Sequence, residues 1–248
     1  MPSGPRLDKV LVARGFYDTR ARAADAIRRG AVRVNGETVT RTGWRCPQEA
    51  DIRIDDPARS YVSRAALKLL AALDAHPFPV EGAVCADIGA STGGFTQVLL
   101  EHGARRVYAV DVGHDQLART LRDDPRVIVM EGQNARHLTK AHIPEPLDVI
   151  VSDVSFISLK KALPSAFALA RPGAHLAALI KPQFEAGRAH LGKGGVVRDK
   201  SIREAVREDI RDWLQTTGWP AQTLLPSPLR GADGNVEYLI VAQKRAKE

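Results

Sequence analysis

The chain has 248 residues and a mass of 27.0 kDa, enough for one large domain or for two of unequal size. With 44% hydrophobic and 26% charged residues, its composition argues against long disordered or collagen-like segments. No apolar stretch reaches the roughly 20 residues of a membrane helix, and the N-terminus lacks a signal-peptide core. We therefore expect a cytoplasmic protein with no membrane partner. Cys46 and Cys85 form neither a disulfide framework nor a metal-binding pair, so no metal site is predicted.

The positive charge is concentrated near the N-terminus. The whole chain carries 36 Lys and Arg against 29 Asp and Glu, a net charge of +7. Residues 1–45 contain ten of the basic and four of the acidic residues, so most of the excess lies in the first fifth of the chain. A basic region of this kind favours a polyanionic partner, nucleic acid first and an acidic membrane surface second.

The N-terminal region is predicted to contain two helices and a hairpin. A short amphipathic helix ends near Gly15, and a second helix can be capped by Asp18 or Thr19. The strand that follows leads into Asn35-Gly36, the strongest short hairpin signal in a sequence. Arginines between the apolar positions should point outward, where the planar guanidinium can donate two hydrogen bonds to one phosphate. The predicted RNA-binding residues are Arg6, Arg14, Arg20, Arg28, Arg29 and Arg33.

This pattern resembles a known RNA-binding module. Arg6-Leu7-Asp8, Gly15, Arg20 and the run from Ile27 to Gly36 are similar to the S-four domain of ribosomal proteins, pseudouridine synthases and tRNA synthetases. The resemblance implies binding to structured RNA. We place this small α+β domain at residues 1–58 and a linker at residues 59–62.

The remaining residues, 63–248, alternate between helical segments and short apolar runs. The runs lie at residues 84–88, 107–110, 127–130, 149–151 and 176–180. Such runs are typical of parallel strands buried on both faces. We predict an α/β domain with a Rossmann-like, doubly wound sheet.

The loop after the first of these strands predicts a cofactor site. It breaks the dinucleotide pattern GxGxxG and resembles motif I of S-adenosylmethionine-dependent methyltransferases. Asp111 ends the second strand, where a carboxylate can hold ribose hydroxyls or cap a helix. Asn134 and Ala135 follow the third strand, where this class of enzyme holds the adenine. The cofactor contacts expected within the first loop are Asp87, Gly89, Ala90, Ser91, Gly93, Gly94 and Phe95.

A second glycine-rich segment is one residue away from the phosphate-binding pattern of nucleotide hydrolases. Residues 187–194 end in Gly194, where that pattern requires the Ser or Thr that holds magnesium. We interpret residues 187–194 as a mobile basic loop beside the active site.

Four charged residues occur at positions that favour ribose methylation. Lys68 lies on the helix before the first strand, Asp153 ends the fourth strand, Lys181 ends the fifth, and Glu237 opens the last strand. A lysine at this edge of the sheet can remove the proton of a ribose 2′-hydroxyl, or stabilise the developing alkoxide while charged. Neither cysteine lies where cytosine-C5 methylation requires its nucleophile. The proline-containing turn of amino-group methyltransferases is replaced by Asp153-Val154-Ser155-Phe156.

These four residues resemble the K-D-K-E tetrad of FtsJ-type ribose 2′-O-methyltransferases. The whole layout, including Tyr61 to Leu69 and Ile180 to Glu185, is similar to the TlyA family of rRNA methyltransferases, also called haemolysin A. The resemblance implies S-adenosylmethionine as cofactor, ribosomal RNA or ribosomal subunits as partner, and cytidine 2′-O-methylation. We expect a monomer.

Two alternatives stay open from the residues alone. A non-catalytic RNA-binding or ribosome-assembly factor would keep the basic N-terminal module but could leave the cofactor site empty, and the four charged residues could be ordinary surface charges. A pore-forming toxin would need membrane spans, which the sequence lacks.

Overall fold

The computed structural model describes residues 4–231 and 234–246, and it divides the chain into two compact units, Met1–Ser60 and Tyr61–Glu248. The first unit has helices α1 (Leu7–Ala13) and α2 (Arg20–Arg28). Its antiparallel sheet contains β1 (Val32–Val34), β2 (Glu37–Thr38) and β3 (Ile52–Ile54), in the order β2-β1-β3.

Local sequence signals account for much of the first unit. Thr19 caps α2, because its hydroxyl accepts a hydrogen bond from the backbone N–H of Arg22. Asn35 and Gly36 both have positive φ angles, 50° and 86°, which a two-residue hairpin turn between twisted strands requires. In β1, Val32 and Val34 are buried while Arg33 is exposed, so this strand contributes one face to the core.

The second unit is built on a seven-stranded sheet. Its helices are α3 (Ala66–Ala75), α4 (Gly94–Glu101), α5 (Arg119–Arg122), α6 (Leu159–Ala162), α7 (Pro164–Leu169), α8 (Pro182–Glu185) and α9 (Lys200–Thr216). Its strands are β4 (Val84–Ile88), β5 (Arg106–Val110), β6 (Val127–Met130), β7 (Leu147–Ser152), β8 (Ala170–Ile180), β9 (Ala221–Pro226) and β10 (Tyr238–Gln243).

The strand order, β6-β5-β4-β7-β8-β10-β9, confirms the predicted doubly wound fold. The first five strands in this order are parallel, whereas β10 runs antiparallel to both β8 and β9. All five residues of β4 are buried, with Val84, Ala86 and Ile88 in one apolar cluster and Cys85 in another. Helices therefore cover both faces of the sheet, which explains why the central strands are apolar along their whole length.

The end of the sheet differs from the sequence prediction. The last strand, predicted over residues 235–241, begins at Tyr238, so Glu237 lies just before it, and β9 was not predicted at all. Because β10 is antiparallel, its first residue pairs with Ile180, the last residue of β8. The start of β10 and the ends of β4, β7 and β8 consequently lie at one edge of the sheet. Within residues 4–231 and 234–246, no helix is long and apolar enough to cross a membrane.

Candidate active site

The four charged residues singled out in the sequence form one connected network at this edge. The Nζ atom of Lys68 donates a hydrogen bond to Glu237 Oε2 at 2.6 Å and lies 3.5 Å from Asp153 Oδ2. The Nζ atom of Lys181 lies 2.6 Å from Asp153 Oδ1. Asp153 therefore joins two lysines, and the network pairs two positive with two negative charges.

Burial makes this network electrostatically strong. The side chains of Lys68, Lys181 and Glu237 are 7%, 9% and 3% exposed, and that of Asp153 is 15% exposed. Charges removed from water in this way are tolerated when each has a partner of opposite sign, as here. The same low-dielectric surroundings strengthen any interaction with charge that develops on a reacting atom nearby.

The glycine-rich loop after β4 lines the start of a cavity, which we call the cofactor cavity because the sequence predicts the cofactor contacts there. Gly89 has φ 89°, and a Cβ atom there would lie 3.1 Å from Val154, so a side chain would crowd the end of β7. Gly93 has φ 99°, and a Cβ atom would overlap Leu117 and Leu121. The need for glycine at position 93 thus comes from backbone conformation and packing. The prediction that Gly93 contacts the cofactor receives no support from the cavities described below.

The cofactor cavity, of about 480 Å³, lies between the ends of β4, β5, β6 and β7. It is lined by Gly89, Ser91, Asp111, Asn134 and Ala135 among other residues. Asp111 Oδ2 accepts from the backbone N–H of Ser91, and Asp111 Oδ1 accepts from that of Gly113. The carboxylate therefore connects two loops of the cavity and does not cap a helix.

A smaller cavity of about 180 Å³ joins the same loop to the charged network. It is lined by Asp87, Ala90, Gly94, Phe95, Asp153 and Lys181 among others. Asp87 is fully buried and accepts a hydrogen bond from Thr96 Oγ1 at 2.7 Å, but its Oδ1 atom has no hydrogen-bond partner in the described structure. Burial raises the pKa of Asp87 to about 7, against the stabilising bond from Thr96. An unsatisfied buried carboxylate oxygen is a fitting partner for a cationic group of a ligand.

One residue that supports the cofactor cavity was not among the predicted cofactor contacts. Glu131 accepts hydrogen bonds from the backbone N–H groups of Asp115, Gln116 and Leu117, and its Oε2 atom pairs with Arg122 at 2.6 Å. The hydrogen bond from Arg122, followed by those from the backbone, lowers the pKa of Glu131 to about 2. Its position directly after β6 was the only available signal.

A third cavity, which we call the acceptor cavity, also borders the network. It measures about 350 Å³ and is lined by Arg64, Lys68, Phe156, Lys181, Phe184 and Glu237 among others. Phe156 is 90% exposed with φ 65°, and its ring lies 5.1 Å from that of Phe184 at a tilt of 48°. An exposed aromatic ring in the same cavity as Lys68 and Lys181 is suited to stacking on a nucleobase.

In the first unit, most of the predicted RNA-binding arginines have protein partners. Arg6 and Arg20 both pair with the buried Asp8. Arg14 donates to the backbone carbonyls of Gln48 and Ala50. These bonds use one or two N–H groups of each guanidinium, and Arg6, Arg14 and Arg20 keep part of their surface in solvent.

Arg29 is the most enclosed of the predicted arginines. It pairs with Asp25 at 2.8 Å and with both oxygens of Asp56 at 2.9 and 3.0 Å, and its side chain is 16% exposed. Tyr17 donates a further hydrogen bond to Asp56. This geometry favours a structural role for Arg29 over a contact with RNA.

An open groove of about 910 Å³ offers a different basic surface in this unit. We call it the basic groove; it is lined by Arg28, Thr40, Arg41, Thr42, Gly43, Trp44 and Arg45. Arg28, Arg33 and Arg41 are exposed. Arg41 and Arg45 were not predicted, because the segment around them has no helical or strand period.

Comparisons with known proteins agree with the two units. Residues 61–244 match the family model of FtsJ-like methyltransferases, and residues 5–52 match that of the S4 domain. Fold and site together define an FtsJ-like methyltransferase with an RNA-binding S-four domain.

Similarity over the full length gives the family. The chain is 43% identical over 236 residues to the 16S/23S rRNA (cytidine-2′-O)-methyltransferase TlyA of Mycobacterium tuberculosis, covering 95% of this chain and 88% of that protein. It is 42% identical to hemolysin A of Brachyspira hyodysenteriae, covering 94% and 98%. A structure from Streptococcus thermophilus described as a hemolysin superimposes with a TM-score of 0.77 at 38% identity, covering 99% and 90%. The chain belongs to the TlyA family.

Proposed function

We propose that this chain transfers a methyl group from S-adenosylmethionine to the ribose 2′-hydroxyl of a cytidine in ribosomal RNA. The observation that carries the proposal is the buried network of Lys68, Asp153, Lys181 and Glu237, whose members line both the cofactor cavity and the acceptor cavity. The choice of cytidine and of ribosomal RNA rests on the named activity of the relative from Mycobacterium tuberculosis. This substrate would place the reaction in the cytoplasm.

The residues around the cofactor cavities fit S-adenosylmethionine. Asp87 offers an unpartnered carboxylate oxygen for a cationic amino group, and Asp111 offers a carboxylate already oriented by two backbone N–H groups. Asn134 and Ala135 line the far end of the larger cavity, where we expect the adenine. When bound, this cofactor supplies an electrophilic methyl group on a sulfonium centre.

Lys181 is the residue that we propose acts on the acceptor oxygen. A ribose 2′-hydroxyl is a very weak acid, so a positive charge fixed beside it favours loss of its proton during attack. Asp153 orients Lys181, and Lys68 together with Glu237 orients Asp153 through its second carboxylate oxygen. Because the partners are already in place, little reorganisation is needed when charge develops on the acceptor.

Substrate capture is assigned to two surfaces. In the second unit, Phe156 and Phe184 offer an aromatic surface to the acceptor nucleotide. In the first unit, we propose that the basic groove and Arg33 contact phosphates, while Arg6, Arg14 and Arg20 contribute through the parts of their side chains that remain exposed.

Two experiments test this function. Ribosomal RNA from a strain lacking the chain, compared by mass mapping with RNA from its parent, should lack at least one ribose methyl group. Calorimetry with the purified chain should detect binding of S-adenosylmethionine; no binding would favour the non-catalytic RNA-binding factor.

A further inference from the structure

Ser155 occupies a position between the buried network and the open cavities. It lines the cofactor cavity, the smaller cavity beside it and the acceptor cavity. Ser155 is exposed, whereas Lys181, to which it is hydrogen-bonded, is 7% exposed. Its hydroxyl therefore contacts the Lys181 ammonium in a residue that borders all three cavities.

The hydrogen bonds of Lys181 show how Ser155 acts on it. An ammonium group has three N–H donors. Here Nζ has three oxygen partners: it donates hydrogen bonds to Ser155 Oγ at 2.9 Å and to the Asp153 carbonyl at 3.3 Å, and it forms an ion pair with Asp153 Oδ1 at 2.6 Å. Two of these belong to Asp153, at the end of β7, and the third belongs to Ser155 on the side of the cavities.

The segment that carries Ser155 is held in place on its far side. Phe156 adopts a left-handed backbone conformation, φ 65°, and packs its ring against Phe184. The backbone N–H of Leu159 donates to the half-buried carboxylate of Glu185 at 2.8 Å. Lys181, Phe184 and Glu185 all belong to the segment after β8, so contacts along this segment fix where the Ser155 hydroxyl lies.

We propose that Ser155 is a positioning residue for methyl transfer, whose hydroxyl holds the ammonium group of Lys181 toward the acceptor. This inference rests on the proposed function of Lys181. Without the hydroxyl, only Asp153 would hold Lys181, and the ammonium could turn away from the acceptor oxygen. A displacement of this kind lowers the rate of the chemical step without removing a binding contact.

The first test compares three variants under saturating S-adenosylmethionine, with ribosomal subunits from a strain lacking the chain as substrate. Ser155→Ala should lower kcat about tenfold and change the KM for subunits by less than about twofold. Ser155→Thr keeps a hydroxyl and should retain kcat within about threefold of the wild type. The matched control, Ser152→Ala, alters a buried serine whose hydroxyl has no hydrogen-bond partner in the described structure, and it should leave both constants unchanged. A kcat for Ser155→Ala within about twofold of the wild type would overturn the inference.

The second test does not depend on activity. In protein labelled with ¹⁵N-lysine, the Nζ resonance of Lys181 can be assigned by its loss in Lys181→Met. It should move in Ser155→Ala and stay in place in Ser152→Ala. If the wild-type protein methylates neither ribosomal subunit, the proposed function is wrong. The Nζ resonance of Lys181 then shows by itself whether Ser155 positions that ammonium group. An Nζ resonance that is identical in wild type and Ser155→Ala would overturn the positioning role.

Discussion

Each unit of this chain contains a buried ion-pair network, and the two networks differ in whether their members line cavities. In the first unit, Arg29 is enclosed by Asp25, Asp56 and, through Asp56, Tyr17. Neither Arg29 nor Asp56 lines any of the four cavities described above. In the second unit, Lys181 and Asp153 line cavities where substrates can reach them.

The electrostatics of the first network show that it is closed. Burial opposes the charge of Arg29, but hydrogen bonds to Asp56 and Asp25 raise its pKa above its ordinary value. Burial likewise opposes the charge of Asp56, and the hydrogen bonds from Arg29 and Tyr17 lower its pKa. A closed network of this kind stabilises the fold, whereas a network that faces a cavity can respond to a reacting group.

The largest expected effect is the loss of catalysis when the open network is broken. Lys181→Ala and Asp153→Ala should each reduce methyl transfer about 10²- to 10⁴-fold, because the acceptor oxygen loses its charged partner or that partner loses its orientation. Binding of ribosomal RNA should persist. Transfer of labelled methyl groups to ribosomal subunits measures the first quantity and filter binding the second; near-normal turnover by Lys181→Ala would refute the mechanism.

Breaking the closed network should instead affect stability. Arg29→Met removes one partner of a largely buried ion pair and should lower the free energy of unfolding of the first unit by about 3 kcal/mol. The control Arg28→Met replaces an exposed arginine on the same helix. It should change the free energy of unfolding by less than about 0.5 kcal/mol. Urea unfolding followed by circular dichroism measures both. Equal free energies of unfolding for the two variants would contradict the structural role of Arg29.

A third prediction concerns the pH dependence of cofactor binding. The pKa of Asp87 lies at about 7, and a cationic group beside its free oxygen would favour the ionised form. Binding of S-adenosylmethionine should then release a proton, so the dissociation constant should be about tenfold larger at pH 6 than at pH 8. Asp153 and Asp111 are the other carboxylates that act on Asp87.

Asp87→Asn is the matched variant for this prediction, because it keeps the shape of the side chain and cannot titrate. The dissociation constant of this variant for S-adenosylmethionine should vary little between pH 6 and pH 8. Calorimetry at the two pH values measures both proteins, and the same pH dependence in wild type and variant would rule out Asp87 as the titrating group.

The smallest effect is expected in the basic groove. Arg41→Ala should weaken RNA binding irrespective of sequence and reduce the slope of log affinity against log salt by about 1, because one phosphate contact is lost. Arg53→Ala is the control, since Arg53 is an exposed arginine of β3 that pairs with Asp51. An unchanged slope for Arg41→Ala would contradict an RNA contact in the basic groove, and residues 187–198, which include the basic loop, would become the next candidate.

The parts of the fold that depend on local sequence signals were predicted well. The hairpin at Asn35-Gly36 and the five parallel strands follow from turn chemistry and continuous apolar runs, which depend on local residues. The strand β9 escaped prediction because its residues are half-buried or exposed and carry no clear period. The antiparallel direction of β10 could not be inferred either, because it depends on pairing with β8.

The candidate site was predictable in its members but not in its contacts. Strand ends placed Asp153 and Lys181 at one edge, because parallel strands end together. Glu237 precedes the start of β10 and joins them only because β10 runs antiparallel to β8. The sequence did not reveal that Arg29 is enclosed by Asp56, 27 residues away, or that Ser155 contacts Lys181. Both facts depend on tertiary packing, which decides whether a charged side chain is structural or free to act.

The most direct test of the central claim is the position of the transferred methyl group. Ribosomal subunits from a strain lacking the chain can be incubated with the purified protein and isotopically labelled S-adenosylmethionine, then digested to nucleosides and analysed by mass spectrometry. We predict labelled 2′-O-methylcytidine with the wild type and none with Lys181→Ala. Label on a nucleobase, or equal labelling by the two proteins, would contradict the assignment of the Lys68, Asp153, Lys181 and Glu237 network to ribose methylation.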